Sequence, residues 1–332
     1  LTRDVAEKQK SSGGPITQDN TSVEYYCTIF AAAESPVKEG LLWTGSDDGL
    51  INVSQNGGKD WQNVTPKGMP EWMMINSVEP SRYDAGTCYV AGTKYKTGDF
   101  APYLYKTVDY GKSWKKITNG IAKEHFTRVV REDPTQKGLL YAGTETGLYI
   151  SFNDGANWQP FQLNLPIVPI TDLALKDGNL IVATQGRSLW IIDDLSVIHQ
   201  LADAKNNNDF LFKPKDTYRM GGGSRSGSLA EGTNHPSGVM TYFNLKNISE
   251  TTDKSTDKKV SLSYLNMQND TIKKFSTKAD KENNIDKLEV KEGANYHTWN
   301  MRGKDAERLK GMVLWWASTS APQAVPGSYK VV

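Results

Sequence analysis

Ser54-Gln55-Asn56-Gly57-Gly58-Lys59-Asp60-Trp61, Thr107-Val108-Asp109-Tyr110-Gly111-Lys112-Ser113-Trp114 and Ser151-Phe152-Asn153-Asp154-Gly155-Ala156-Asn157-Trp158 are three copies of one octapeptide. Each opens on a hydroxyl residue, carries Asp or Asn at the third place and Gly at the fifth, and closes on Trp. A tight turn leaves backbone N–H groups unpaired, and the hydroxyl and the Asp or Asn oxygen are acceptors for them. Gly at the fifth place supplies a positive φ. The Trp brings apolar area to pack between neighbouring sheets, and its indole N–H needs a partner when buried. Asn56 and Asn153 keep the acceptor without the charge, so their turns are expected to be held less tightly than that of Asp109. Ser54, Asn56, Gly58, Trp61, Thr107, Asp109, Gly111, Trp114, Ser151, Asn153, Gly155 and Trp158 therefore read as structural. The copies begin at 54, 107 and 151, a spacing close to the roughly 40 to 50 residues of a four-stranded propeller blade.

Working outward, a small-residue strand recurs four times, as Leu41-Leu42-Trp43-Thr44-Gly45, Tyr89-Val90-Ala91-Gly92, Leu140-Tyr141-Ala142-Gly143 and Leu180-Ile181-Val182-Ala183-Thr184. A further strand precedes each, at Tyr25 to Ala32, Ile75 to Glu79, Phe126 to Arg131 and Ile170 to Leu175. The repeating unit is thus strand, turn, strand, turn, strand, octapeptide, strand. Four units occupy roughly 23 to 203, and the last has lost its octapeptide. Helical periodicity is confined to short stretches at Asp4 to Lys10 and Leu195 to Ala204. From about 208 the repeat stops. Strand-like runs at Phe210 to Phe212, Val239 to Leu245, Val260 to Met267, Tyr296 to Met301, Val313 to Ala317 and Tyr329 to Val332 suggest a small antiparallel sandwich. The expected fold is all-β, with four propeller blades in 1–204 and an immunoglobulin-like β-sandwich in 205–332.

Composition narrows the function. Lys plus Arg number 39 against 38 Asp plus Glu, a net charge of +1, which excludes a broad electrostatic claim on nucleic acid or anionic membrane. No apolar run approaches the roughly 20 residues a membrane helix needs. The opening Leu1-Thr2-Arg3-Asp4 has neither a starting Met nor a signal peptide, so the chain reads as a mature or excised piece. Cys27 and Cys88 each sit in an apolar run and read as two buried thiols. His125, His199, His235 and His297 are dispersed, no metal-ligand spacing exists, and neither a metal nor a cofactor is expected. No Ser-His-Asp order, phosphate loop or dinucleotide fingerprint is present.

The octapeptide is the Asp box, and the chain resembles the bacterial-neuraminidase-repeat family, which includes sialidases, some glycoside hydrolases and the sortilin-type ten-bladed domain. Ser12 to Thr21, Gly45 to Leu50, Arg131 to Pro134 and Thr184 to Leu195 also resemble large secreted sortilin-like or glycosyl-hydrolase-repeat proteins of Bacteroidota-type bacteria. The resemblance implies that further blades precede this region. It also implies that the sandwich is cut short after Pro326 to Val332, that the boxes lie away from the central channel, and that the protein is extracytoplasmic.

Candidate site residues are few. Asp47 and Asp48, in a Gly-Ser-Asp-Asp-Gly turn, are candidates for an acid–base pair or for holding calcium, although neighbours on a strand face opposite ways. Arg187 follows Gly186 where the small-residue strand ends, a place that overlooks the channel or bonds between blades. A sialidase needs an arginine cluster and a Tyr activated by Glu; the chain offers Arg128, Arg131, Arg187, Arg219 and Arg302 with Glu24-Tyr25-Tyr26. Tyr25, Tyr26, Trp72, Tyr95, Tyr103 and Trp190 would suit sugar stacking or peptide capture where they point outward. The expected role is binding of a protein partner or a glycan, the alternative a sialidase-like glycoside hydrolase, and the open blade edges suit further blades or another chain.

Overall fold

The computed structural model describes residues 1–10, 26–205, 209–219, 236–246, 248, 259–280, 282–307 and 309–332. The Glu24-Tyr25 pair, the Ser12 to Thr21 motif and the glycine run at 221–223 lie outside these residues. Contacts divide the chain into two units, Leu1–Ile192 and Asp193–Val332. The sequence reading places this division after the short helical stretch at 195–204. The structure places it ahead, because α1 (Ser196–His199) and α2 (Leu201–Ala204) belong with the C-terminal unit. Gln200 between them donates to the Lys213 carbonyl and accepts from the Lys213 N–H.

The first unit is a β-propeller array of four antiparallel sheets. Blade 1 holds β1 (Ile29–Glu34), β2 (Leu42–Ser46), β3 (Ile51–Ser54) and β4 (Gln62–Asn63). Blade 2 holds β5 (Met74–Pro80), β6 (Cys88–Lys94), β7 (Asp99–Thr107) and β8 (Lys115–Lys116). Blade 3 holds β9 (Thr127–Glu132), β10 (Leu140–Thr144), β11 (Gly147–Ser151) and β12 (Gln159–Pro160). Blade 4 has three strands, β13 (Ile170–Lys176), β14 (Asn179–Thr184) and β15 (Leu189–Ile192). Their inner strands stand in a row, β1 against β5, β5 against β9 and β9 against β13. The pairing of each inner strand with its neighbour slips by one residue at the same place. Phe30, Asn76, Arg128 and Thr171 are thereby left without a partner across the hairpin.

The three octapeptides form one hydrogen-bonded turn three times. The hydroxyl of Ser54, Thr107 or Ser151 donates to the side-chain oxygen at the third place and accepts the N–H of Gly58, Gly111 or Gly155. The same oxygen of Asn56, Asp109 or Asn153 accepts the N–H of the seventh residue at 2.8–3.0 Å. Not only Gly58, Gly111 and Gly155 but also the residues before them, Gly57, Tyr110 and Asp154, have positive φ. The sequence offered no warning of this for Tyr110 and Asp154, whose N–H groups donate to the Gly86 and Gly138 carbonyls.

Two of the tryptophans stitch blades together. Trp114 donates to the Val64 carbonyl and lies edge-on to Trp43 of blade 1, and Trp158 donates to the Ile117 carbonyl of blade 2. Trp61 instead donates to the Gly58 carbonyl within its own turn. Cys88 is buried, whereas Cys27 is half-buried at φ 72°, and both thiols are free. Cys27 thus departs from the buried thiol expected, because it lies in the chain leading into the inner strand and not inside it.

The second unit is a two-sheet sandwich. One sheet has the order β16 (Phe210–Leu211), β17 (Val239–Leu245) and β21 (Gly293–Trp299). The other runs β20 (Ile285–Lys287), β19 (Thr271–Ser276), β18 (Ser261–Leu265) and β22 (Lys330–Val331). Between them lie Leu262, Tyr264, Leu288, Trp299 and Met301, with Tyr264 stacked on Trp299 at 4.5 Å. Two expectations fail here. β19 and β20 are parallel, so the sheet is mixed. Val313 to Ala317 forms no strand, and Val313, Trp315 and Trp316 are exposed, because no neighbouring strand pairs with that segment.

Candidate functional site

Chain logic divides each blade into two ends. The octapeptides follow the third strands, so they sit at one end with the turns joining first and second strands. The turns joining second and third strands sit at the other, where one blade hands over to the next. There Asp47, Glu145 and Gln185 donate their N–H groups to the carbonyls of Thr28, Phe126 and Pro169, the same bond in three blades.

At this second end, between blades 1 and 2, lies a narrow cleft of about 10 Å3, lined by Tyr26, Asp47, Trp72, Met74 and 93–97. Its wall is positioned by backbone chemistry. Gly49, at φ 87°, lets the β2–β3 turn press on the next blade; a Cβ there would lie 3.0 Å from the Met73 nitrogen. Trp72 itself is held at φ 58°, a left-handed conformation rare for a bulky residue and of the kind found at ligand clamps. Its ring meets Tyr26 edge-to-face at 6.1 Å, and the Arg3 guanidinium and Lys8 ammonium lie 5.4 and 5.5 Å over it. Across the cleft Tyr95 stacks on Phe126 at 5.0 Å, with the Arg128 guanidinium 5.5 Å above its ring and ion-paired to Glu145.

The two neighbouring carboxylates part company. Asp47 lines the cleft and accepts the Thr28 N–H at 2.8 Å; burial raises its pKa, against the pull of that N–H. Asp48 is fully buried and turned away, accepting the Arg3 N–H at 2.5 Å and the Ser46 hydroxyl. Asp48 therefore pins the N-terminal strap, which Asn52 also holds through the Leu1 carbonyl. The pair does not face a shared space: both lie in the turn between β2 and β3, and there the strap claims Asp48.

The arginines do not converge within the first unit. Arg131 is spent between inner strands, donating to Ser77, Asp172 and the Leu173 carbonyl, with Glu79 at 3.6 Å. Arg187 is exposed, donates to the adjacent Gly186 carbonyl, and offers its own carbonyl to Trp190. Arg219 and Arg302 belong to the second unit, where they donate to Gln323 and to the Ala321 carbonyl. Tyr103 is core, its hydroxyl donating to Asp99. Of the aromatic residues named from sequence, the cleft gathers Tyr26, Trp72 and Tyr95. Sequence reasoning missed Lys94 and Lys96; a turn longer than those of the other blades was the available signal. Among the described residues no group of three or more His, Cys, Asp or Glu is placed to hold a metal ion, and no helix is long and apolar enough to cross a membrane.

No family model matches the chain. Among curated proteins it is similar to the oligoxyloglucan-reducing end-specific xyloglucanase of Emericella nidulans, 24% identical over 108 residues. That match covers 32% of this chain and 13% of that protein. Similar solved structures include YCF48 bound to D1 peptide, at 18% identity and a TM-score of 0.39 over 50% of this chain and 52% of that one. They also include the GH74 xyloglucanase from Xanthomonas campestris, at 16% identity and 0.39, over 50% of this chain and 29% of that one. The extracellular domain of a putative one component system from B. thetaiotaomicron is another, at 18% identity and 0.39, over 53% and 22%. The chain spans little more than half, or much less, of each of these proteins.

Proposed function

We propose that the propeller array is an extracytoplasmic Asp-box binding module and that the aromatic rim around the cleft between blades 1 and 2 takes a neutral glycan across its mouth. The observation that carries this is the set of Tyr26, Trp72 and Tyr95 around one half-buried carboxylate. Aromatic rings pack against the apolar face of a sugar, here through the edges left open beside the cleft, and Asp47, Lys94 and Lys96 offer hydrogen bonds to its hydroxyls. The similarity to a xyloglucan-active enzyme supports a β-glucan backbone as the first ligand to try.

Titration calorimetry with xyloglucan oligosaccharides tests the reading. Trp72→Ala is expected to weaken binding about tenfold or more, roughly 1.4 kcal/mol, while the circular dichroism spectrum and melting temperature stay near those of the parent. Absence of heat with any neutral oligosaccharide, or identical affinity in Trp72→Ala and Tyr95→Ala, would sink it.

The second reading, a glycoside hydrolase, is favoured by one observation: burial raises the pKa of Asp47, as a general acid requires. Glycoside cleavage takes two carboxyl groups on either side of the bond, commonly about 5 to 10 Å apart. Among the described residues lining the cleft, Asp47 is the one carboxylate. Release of reducing sugar that falls a hundredfold or more in Asp47→Asn would turn the assignment to catalysis.

A further inference from the structure

His297 lies on β21 between Asn295 and Trp299, both of them buried, while Tyr296 beside it is exposed. Strand side chains alternate, so Asn295, His297 and Trp299 share the face of β21 that is turned to the other sheet. The imidazole stands against Phe275 of β19, with ring centroids 4.2 Å apart. The residue as a whole is half-buried, but its Nε2 lies inside and, among the described residues, has no hydrogen-bond partner. Its polar neighbours are already engaged. Across the pairing on β17, the Thr241 hydroxyl is bonded to the Tyr264 hydroxyl at 2.8 Å. The Asn295 side chain accepts the Lys291 N–H and donates to the Lys291 and Gly293 carbonyls. A neutral imidazole can leave a bare lone pair at such a nitrogen, whereas an imidazolium carries a donor on both. Protonation therefore places a charge and an N–H where nothing accepts them.

The facing sheet brings one cation and one carboxylate to this place. Lys273 and Phe275 pair with the core residues Tyr264 and Leu262, so both side chains point between the sheets. The Lys273 ammonium is ion-paired at 2.7 Å to Asp286 of β20, which is in register with Phe275. Tyr264 of β18 keeps its proton, its pKa pushed up to about 12 by burial. Burial lowers the pKa of His297, and Asp286 is the opposing influence. That carboxylate is already held by Lys273, so a charged His297 and Lys273 would compete for it.

We propose that His297 is an acid-operated latch of the sandwich: the neutral ring closes the space between the sheets, and the imidazolium either takes Asp286 from Lys273 or leaves the face of Phe275. Either move loosens the edge of the mixed sheet, where β20 offers β19 only Ile285, Asp286 and Lys287. A histidine whose native pKa lies below its unfolded value, about 6.5, adds stability that is complete above the unfolded value. That contribution is lost as pH falls through the native value, so the latch works in mild acid, above the range in which ordinary carboxylates take up protons.

Proton NMR of the full chain at graded pH reads the imidazole signals, and the one missing from His297→Phe belongs to His297. Its midpoint is expected below about 6.5, and lower still in Asp286→Asn, which lacks the carboxylate that favours the cation. Urea midpoints read from the backbone amides of β17 and β21 should fall between neutral pH and about pH 5.5 in the parent and change less in His297→Phe. Should His297→Phe fail to fold, His297→Asn carries both comparisons. A His297 midpoint at or above about 6.5 would overturn the proposal. So would a midpoint unmoved in Asp286→Asn, or a parent that loses no more stability in acid than the variant without the imidazole.

Discussion

Asp109 shows how one carboxylate differs from two amides in the same turn. Ser113 donates to it from both N–H and hydroxyl, and the Thr107 hydroxyl donates as well. These donors favour the ionised form and hold its pKa below the ordinary 3.8. A depressed native pKa gives stabilisation that is complete above the unfolded value and is lost as pH falls through the native one. The turn of blade 2 is thus expected to weaken in acid, whereas those of Asn56 and Asn153 carry no such titration. Urea midpoints measured from neutral pH downward should fall more steeply in the parent than in Asp109→Asn. Equal slopes would show that the carboxylate contributes nothing beyond its oxygen's geometry.

At the scale of the blade, the glycines of the second strands decide how closely sheets approach. Gly45→Ala puts a methyl group where Ile75 already is, and both sites are buried. Overpacking of this kind costs about 1–3 kcal/mol. Adding Ile75→Ala should recover part of the loss, because it removes the Cγ2 that the new methyl group meets. Chemical denaturation of the two single variants and the double variant measures that coupling; strict additivity would mean the close approach is not the cause. These blades were legible in sequence because a glycine, a hydroxyl residue and a tryptophan recur at fixed places, each demanded by the backbone. The sandwich was less so. Thr271 to Ser276 carries two lysines mid-strand, and Ile285 to Lys287 is too short to show a period. Val313 to Ala317 has the right residues and no strand beside it. Of the cleft, the aromatic rings could be named from sequence. That Asp47 and Asp48 would turn to different partners could be argued in general terms, but the strap that claims Asp48 could not.

Across the whole array, Arg131 is the tie. From β9 it reaches Ser77 and Glu79 on β5 and Asp172 and Leu173 on β13, so one guanidinium spans three blades. Burial raises the pKa of Glu79, and Arg131 is the foremost influence opposing it. Arg131→Met leaves that carboxylate buried without its cation, at a cost of about 3 kcal/mol. A raised acid is stabilising below its unfolded pKa and loses that contribution as pH rises through the native value. The deficit of Arg131→Met should accordingly be smaller in mild acid than at neutral pH, and Glu79→Gln in the same chain should recover part of it. Thermal melts at the two pH values would read this, and a deficit independent of pH would remove Glu79 from the account. The slipped residues Phe30, Asn76, Arg128 and Thr171 have no partner across their hairpins while Ile29, Ile75, Thr127 and Ile170 beside them stay apolar or β-branched. Four consecutive sheets thus hold one position apiece where an aromatic, an amide, a cation and a hydroxyl are equally at home. A repeat protein so built can diversify what its inner rim says to the outside while the grammar of its stacking stays constant.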